Sequence, residues 1–275
     1  MCEHCGCDSA TGGAADCAGG HSETRHSAHD HDHPHPHPPG HPHEHADRVA
    51  AAPDPAAGAE TRRVAVEADI LAANAAAAVD IRRQLAERGV TAFNLMSSPG
   101  SGKTRLLEAT LDRLRGRVGC AVITGDVRTD HDARRLAGRG APVRQIETMN
   151  ACHLSAVQIA EALPHVLAPD TRLLFIENVG NLVCPATFDL GEHVKVALLS
   201  VVEGEDKPVK YPAMFTVAGV VVLTKIDLAG AAEWDRAAAL RAVQTVRPGA
   251  VVFEVSAKTG EGMDAWIGYL ERVAG

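Results

Sequence analysis

The chain has 275 residues, enough for one large domain or two small ones, and its 27 Lys/Arg against 35 Asp/Glu give a net charge of −8. That balance excludes nucleic acid as the main partner, because a phosphate backbone needs a clustered positive surface. With 45% hydrophobic but only 3% aromatic residues, any core must be built from Val, Ile, Leu and Ala.

The charge is concentrated at the N-terminus. Residues 1–59 hold nine Asp/Glu against only Arg25 and Arg48, a net −7, which leaves about −1 for the rest. This segment has no aromatic residue, and Met1 and Val49 are its only Val, Ile, Leu or Met. It cannot bury enough surface to offset the entropy of ordering, so residues 1–60 are expected to form a disordered tail. The start, "MCEHCGC", crowds Cys2, Cys5 and Cys7 beside a free amine and mobile amides. Thiolates with nitrogen donors on a flexible peptide suit Ni(II) or Cu(II). Ten of the tail's eleven histidines lie from His21 to His45, in "HDHDHPHPHPPGHPHEH" and just before it, where they alternate with Asp and Pro. The prolines exclude a helix there, and the tract reads as a weaker metal reservoir. No apolar run suits a signal peptide, and "AGVVVL" (218–223) falls far below the ~20 residues that span a bilayer. A cytoplasmic chain with no membrane partner is predicted, whose cysteines stay reduced and act as ligands or core residues.

From residue 61 the pattern turns globular. "VEADILAANAAAAVDIRRQLAERG" reads as an Ala-rich helix stopped by Gly89. Apolar runs at about 92–97, 119–125, 143–147, 172–177, 194–202, 218–224 and 250–255 read as strands. Helical patterns at about 102–115, 130–138, 153–167, 234–246 and 262–273 alternate with them. The prediction is one α/β domain over 61–275, with a mostly parallel sheet flanked by helices.

"NLMSSPGSGKTRLLEATL" places strand, Gly-rich loop and helix in the order of a P-loop NTPase. Pro99, Gly100, Ser101, Gly102, Lys103, Thr104 and Arg105 are assigned to nucleotide phosphates, with Thr104 on Mg²⁺. Ser97 stands where the usual pattern wants glycine. Asp126, in "TGDVRTDHDA", is a further Mg²⁺ candidate. In "ENVG", Glu177 joins the magnesium and catalytic set with Lys103 and Asp126, and Gly180 can give its N–H to a γ-phosphate. "VVLTKIDL" fits the base-reading pattern through Thr224, Lys225 and Asp227. A carboxylate there accepts from guanine N1–H and N2–H₂, donors that adenine does not present, so GTP is expected over ATP. "VSAKTG" supplies Ser256, Ala257 and Lys258 to close over the base. No glutamine or arginine is evident to activate the attacking water, so slow GTP hydrolysis is expected.

Cys152 and His153 in "MNACHLSA", with Cys184 in "IENVGNLVCP", form a second candidate metal group. Cys120 reads as a small core residue, and His131, His165 and His193 as surface or capping residues.

The segments "SSPGSGKT", "TGDVRTDHDA", "MNACHL", "ENVGNLVCP", "EGEDKPVKYPAMF", "LTKIDL" and "CEHCGC" together resemble the HypB family of hydrogenase nickel-incorporation GTPases, of the SIMIBI class. The resemblance implies a tight nickel site at Cys2, Cys5 and Cys7, and a weaker nickel or zinc site at Cys152, His153 and Cys184. It further implies a GTP-dependent homodimer, a small zinc-containing nickel chaperone (HypA) as partner, and delivery to the [NiFe]-hydrogenase large-subunit precursor. Lys207 and Lys210 in "EGEDKPVKYP" are candidates for contacts across that dimer, against the plainer reading of a solvated loop. Thr224 stands where asparagine is common, which predicts a changed buttress for the P-loop. The rival readings are a urease-type nickel GTPase, whose Cys-Pro-His motif is missing, a GTPase serving a B12-dependent mutase, and a nickel-storage protein with a vestigial GTPase.

Overall fold

The computed structural model describes residues 55–126, 131–148 and 151–275, with side chains from Ala68 onward. Cys2, Cys5, Cys7 and the histidine tract lie outside the described residues.

Seven strands form one sheet: β1 (Thr91–Met96), β2 (Gly119–Asp126), β3 (Val143–Glu147), β4 (Thr171–Glu177), β5 (Val194–Ser200), β6 (Val220–Thr224) and β7 (Val251–Val255). Their order is β3-β2-β4-β1-β5-β6-β7, and every pairing is parallel. The helices are α1 (Pro55–Glu87), α2 (Lys103–Leu114), α3 (His131–Leu136), α4 (Ala156–Val166), α5 (Cys184–Thr187), α6 (Lys207–Lys210), α7 (Pro212–Val217), α8 (Arg236–Val246) and α9 (Met263–Ala274). Among the described residues no helix is long and apolar enough to cross a membrane.

The strands form because runs such as "TRLLFIE" and "VVVLT" are apolar on both faces, as a sheet covered on both sides requires. On one face, Phe93 and Leu95 pack with Leu107 and Leu111 of α2 and Trp266 and Leu270 of α9. On the other face, Ala78, Ile81 and Leu85 of α1 meet Ile159 and Leu163 of α4 over Ile123 and Ile176. A third group, including Met96, Phe215 and Val243, lies under α7 and α8. Each fully buried side chain of this size contributes about 1.5–3 kcal/mol. Trp266 also donates its indole N–H to Thr110 Oγ1 at 3.0 Å, which keeps a large buried ring free of an orphan donor.

Besides the four-residue α5 at Cys184–Thr187, which the sequence did not show, two segments depart from the sequence reading. α1 begins at Pro55, ahead of the expected start near Val66 and across the expected boundary at residue 60. The charged segment after β5, expected as a solvated loop, instead folds into α6 and α7.

The strand order decides where a ligand can sit. From β1 the chain runs outward to β2 and β3, returns through β4 between β2 and β1, then continues on the other side through β5. The crevice beyond the C-terminal ends of β1 and β4 is therefore the topological switch point, where open parallel sheets bind ligands.

Candidate functional site

β1 delivers Ser97–Thr104 to that crevice, and α2 starts at Lys103 with Gly102 as its N-cap at φ 102°. Gly100, at φ 76°, supplies the other left-handed turn, so the loop can present its N–H groups inward. Several partners tie it down. Thr224 Oγ1 donates to Ser101 O at 2.6 Å, Lys225 Nζ to Gly100 O at 2.7 Å, and Ser98 Oγ to Glu203. Thr224 is thus the buttress anticipated at that position.

The loop borders a cavity of about 470 Å³ lined by Pro99, Gly100, Gly102, Lys103, Thr104 and Arg105. Gly125, Asp126, Asp132 and Arg135 form the opposite wall, and Glu177, Asn178, Val179 and Gly180 close it. Ser101 is fully buried behind the loop, where its hydroxyl bonds Ser97 Oγ. Ser97 also accepts from Lys103 Nζ at 2.9 Å, which gives the serine in the glycine position a structural task.

The electrostatics suit a phosphate and its cation. Burial pushes the Lys103 pKa down, while Glu177, Asp132 and Glu203 push back. Burial also raises the Glu177 carboxyl to about 7, against the opposing hydrogen bond from Thr104 and the charge of Lys103. Thr104 Oγ1 donates to Glu177 Oε1 at 2.7 Å, and Glu177 Oε2 is buried with no partner. An orphaned carboxylate oxygen beside a threonine hydroxyl is a donor set that fits Mg²⁺. Gly180 packs on the P-loop so closely that a Cβ would lie 3.0 Å from Pro99 Cα.

A second cavity, about 290 Å³, opens beside Gly102, Arg105 and Leu106 and is lined by Thr224, Lys225, Asp227, Ala257 and Lys258. Lys225 adopts φ 59°, which sends its stem along this pocket toward Gly100. Ser256 does not line it. It is buried and donates to Asp227 Oδ1 at 2.6 Å, so it orients the carboxylate.

The structure also brings Cys152, His153 and Cys184 together. Their ligand atoms lie within 4.8 Å of one another, and among the described residues no other group of three His, Cys, Asp or Glu does so. Cys152 Sγ is 3.7 Å from His153 Nδ1, and the imidazole stacks on Phe188 with centroids 3.7 Å apart. Burial lowers the His153 pKa, which favours the neutral ring a metal needs. The neighbouring Cys152 thiol raises Cys184. Around one tetrahedral ion the ligand atoms stand roughly 3.3–3.8 Å apart, so the three need draw in by only about 1 Å. Three protein ligands leave one position open on a four-coordinate ion.

The remaining sequence expectations divide. Cys120 is buried in the core with its thiol pushed up to about 12, and His193 Nδ1 accepts from Ala92 N at 3.1 Å at the start of the β1–β5 pairing. Lys207 lies 5.0 Å over the Tyr211 ring, and Lys210 pairs with Asp206 at 2.7 Å. Sequence reasoning missed Asp132 and Arg135 on the cavity wall, although "DHDARR" begins four residues after Asp126. It also missed Glu203 and Asn178. Arg135 is anchored by both oxygens of buried Glu108, at 3.2 and 3.0 Å.

Comparison with known proteins agrees with this geometry. Residues 91–254 match the CobW/HypB/UreG nucleotide-binding domain. The hydrogenase maturation factor HypB of Escherichia coli K12 is 49% identical over 212 residues, covering 77% of this chain and 73% of its own. Its counterpart in Azotobacter vinelandii is 47% identical over 216 residues, covering 78% and 71%. The crystal structure of HypB from Archaeoglobus fulgidus superposes with a TM-score of 0.70 at 38% identity, covering 74% of this chain and all of that one. HypB from Helicobacter pylori in complex with nickel gives 0.69 at 35% identity, covering 73% and 94%. The chain belongs to the CobW/HypB/UreG family and, within it, to the hydrogenase maturation factors named HypB.

Proposed function

We propose that this chain is a GTP-hydrolysing nickel metallochaperone for maturation of [NiFe]-hydrogenase, in which the nucleotide state sets the affinity for the metal it carries. One observation carries the reading. The turn that closes the phosphate cavity at Glu177–Gly180 runs directly into Cys184, which meets Cys152 and His153.

In this reading residues 1–60 are a metal-collecting tail and residues 61–275 the GTPase domain. Asp227 reads guanine, with Ala257 and Lys258 closing over it. Lys103 and the N–H groups of Gly100, Gly102 and Gly180 receive the phosphates. Thr104, Asp126 and Glu177 would hold Mg²⁺, which supplies charge neutralisation at the β- and γ-oxygens. Hydrolysis is slow, because no residue is assigned to activate the water, so the cycle times a transfer rather than running a metabolic flux.

Nickel is the cargo. Cys2, Cys5 and Cys7 bind it tightly, while Cys152, His153 and Cys184 hold nickel or zinc in a form that can leave. The partners are a second copy of the chain when GTP is bound, the HypA chaperone and the hydrogenase large-subunit precursor, all in the cytoplasm. Lys207 and Lys210 are assigned to the GTP-dependent contact between copies. Both relatives quoted are hydrogenase maturation factors, and one structural neighbour was solved with nickel, which supports the assignment.

The test is GTP turnover and nickel stoichiometry measured on one sample. The proposal expects slow but definite hydrolysis that is lost in Lys103→Ala. Several nickel ions per chain with no hydrolysis would instead establish a storage protein.

A further inference from the structure

Cys184 is linked to the phosphate cavity by its own chain. The other two members of the cluster, Cys152 and His153, lie on a different segment between β3 and α4, and something must hold that segment in register. The structure supplies two buried asparagines for the task.

The first is Asn178, adjacent to Glu177 and only 2% exposed. Its Oδ1 accepts from Leu154 N at 3.2 Å and from Val179 N at 2.9 Å. Its Nδ2 donates to Asn94 Oδ1 at 3.2 Å, and Asn94 Nδ2 donates in turn to Glu192 Oε1 at 3.2 Å. Every polar atom of the carboxamide is committed, so its orientation is determined. Leu154 immediately follows His153. Its side chain is keyed to the cavity as well, because a Cβ on Gly125 would lie 2.7 Å from Leu154 Cγ. Leu154 therefore touches both walls of the phosphate cavity, through its amide at Asn178 and through its side chain at Gly125 beside Asp126.

The second is Asn74 on α1, which is 5% exposed. Its Oδ1 accepts from Ala156 N and its Nδ2 donates to Asp189 O, both at 2.7 Å. It clamps the same segment from α1, outside the lining of the phosphate cavity, and also holds the stretch after Phe188.

We infer that Asn178 is the positioning residue that ties the Cys152–His153 half of the metal cluster to the phosphate cavity, and that Asn74 is its nucleotide-independent counterpart. This rests on the reading that nucleotide and metal are coupled. Separating Leu154 N–H from Asn178 would strand a buried donor, which is costly in a close-packed interior, so the two move together. In a close-packed interior a shift of the Glu177–Gly180 turn then repositions Cys152 and His153 as well as Cys184. The ligand triplet is gripped at both ends by one turn.

The test uses the full chain carrying Cys2→Ser, Cys5→Ser and Cys7→Ser. Ni(II) is titrated against a competing chelator and followed by thiolate-to-nickel absorption, once with GDP and once with a non-hydrolysable GTP analogue. The ratio of the two dissociation constants is the readout. Asn178→Ala is expected to bring this ratio, measured at saturating nucleotide, to within twofold of 1. Asn74→Ala is expected to weaken nickel binding in both states and leave the ratio unchanged. A wild-type ratio retained in Asn178→Ala overturns the inference and spares the coupling. A ratio of 1 before any Asn178 substitution sinks the coupling, and the inference with it. A second measurement needs no substitution at Asn178: hydrogen exchange at the Leu154 amide in the metal-free chain should differ at least fivefold between the two nucleotides. Equal exchange overturns the inference even where Asn178→Ala does not fold.

Discussion

Gly180→Ala perturbs the site by a single methyl group whose surroundings are known. The new Cβ would stand 3.0 Å from Pro99 Cα, 3.1 Å from Pro99 N and 3.2 Å from Pro99 Cγ. Carbon contacts are comfortable at about 3.5–4.0 Å, so the two segments must separate by roughly 0.5 Å. The P-loop resists, because Thr224, Lys225 and Glu203 anchor it at Ser101, Gly100 and Ser98. The displacement therefore falls on the Val179–Gly180 turn, which carries the N–H assigned to the γ-phosphate. Overpacking of this kind costs about 1–3 kcal/mol. Equilibrium titration with a fluorescent GTP analogue should show affinity falling about 5- to 150-fold, whereas GDP, which lacks the γ-phosphate, should keep its affinity within threefold. Equal losses for both nucleotides would refute the argument, since the P-loop itself would then have moved. No loss for either would show that Gly180 does not approach the γ-phosphate.

Other consequences follow from buried polar groups. Glu108, 4% exposed, accepts from Arg105, Arg135 and Arg139. Glu108→Gln should lower stability by about 1–3 kcal/mol in urea unfolding, less than the roughly 3–5 kcal/mol of a broken fully buried pair, because the three arginines are partly exposed. Hydrogen bonds from Arg135 and Arg105 outweigh burial and hold the Glu108 pKa below 4.5. A depressed carboxyl contributes stability above its unfolded pKa, so the difference between wild type and Glu108→Gln should be constant from pH 8 to 5 and shrink as pH falls below about 4.5. A difference that grows in acid would contradict the sign. Thr224→Val keeps the shape but strands Ser101 O, and should weaken GDP and the GTP analogue equally, by about 5- to 150-fold for the 1–3 kcal/mol of a stranded buried group. Unchanged binding would show that Thr224 does not buttress the loop.

The sequence carried the parts of this fold whose signals are local. All seven strands were visible because buried parallel strands are continuous apolar runs, and the P-loop because strand, glycines, Lys103 and Thr104 are contiguous. Of the short helices among the described residues, only α3 was visible. α5, α6 and α7 are at most six residues long, and only a proline near each start marks them. α1 reaches back to Pro55 through a segment whose composition resembles the tail. At the site, Cys152 and His153 stood out because they are adjacent, and Cys184 because a soft ligand follows the Glu177–Gly180 turn so closely; the family resemblance then supported the triplet. Ser256 looked like a base contact by position, but its hydroxyl serves Asp227 instead. Asn74, Asn178 and Glu203 were missed because their partners lie 82, 24 and 105 residues away. An asparagine beside a motif carries no mark of what it will bond until the chain has closed around it.

The central claim is that one turn serves both phosphate and metal. It is tested most directly by nickel affinity at Cys152, His153 and Cys184, measured with GDP and with a non-hydrolysable GTP analogue, in the chain whose Cys2, Cys5 and Cys7 are serine. The account predicts dissociation constants that differ at least fivefold, the lower end of ordinary coupling between two sites, and loss of the thiolate-to-nickel band in Cys184→Ala. Identical constants in the two nucleotide states would contradict it.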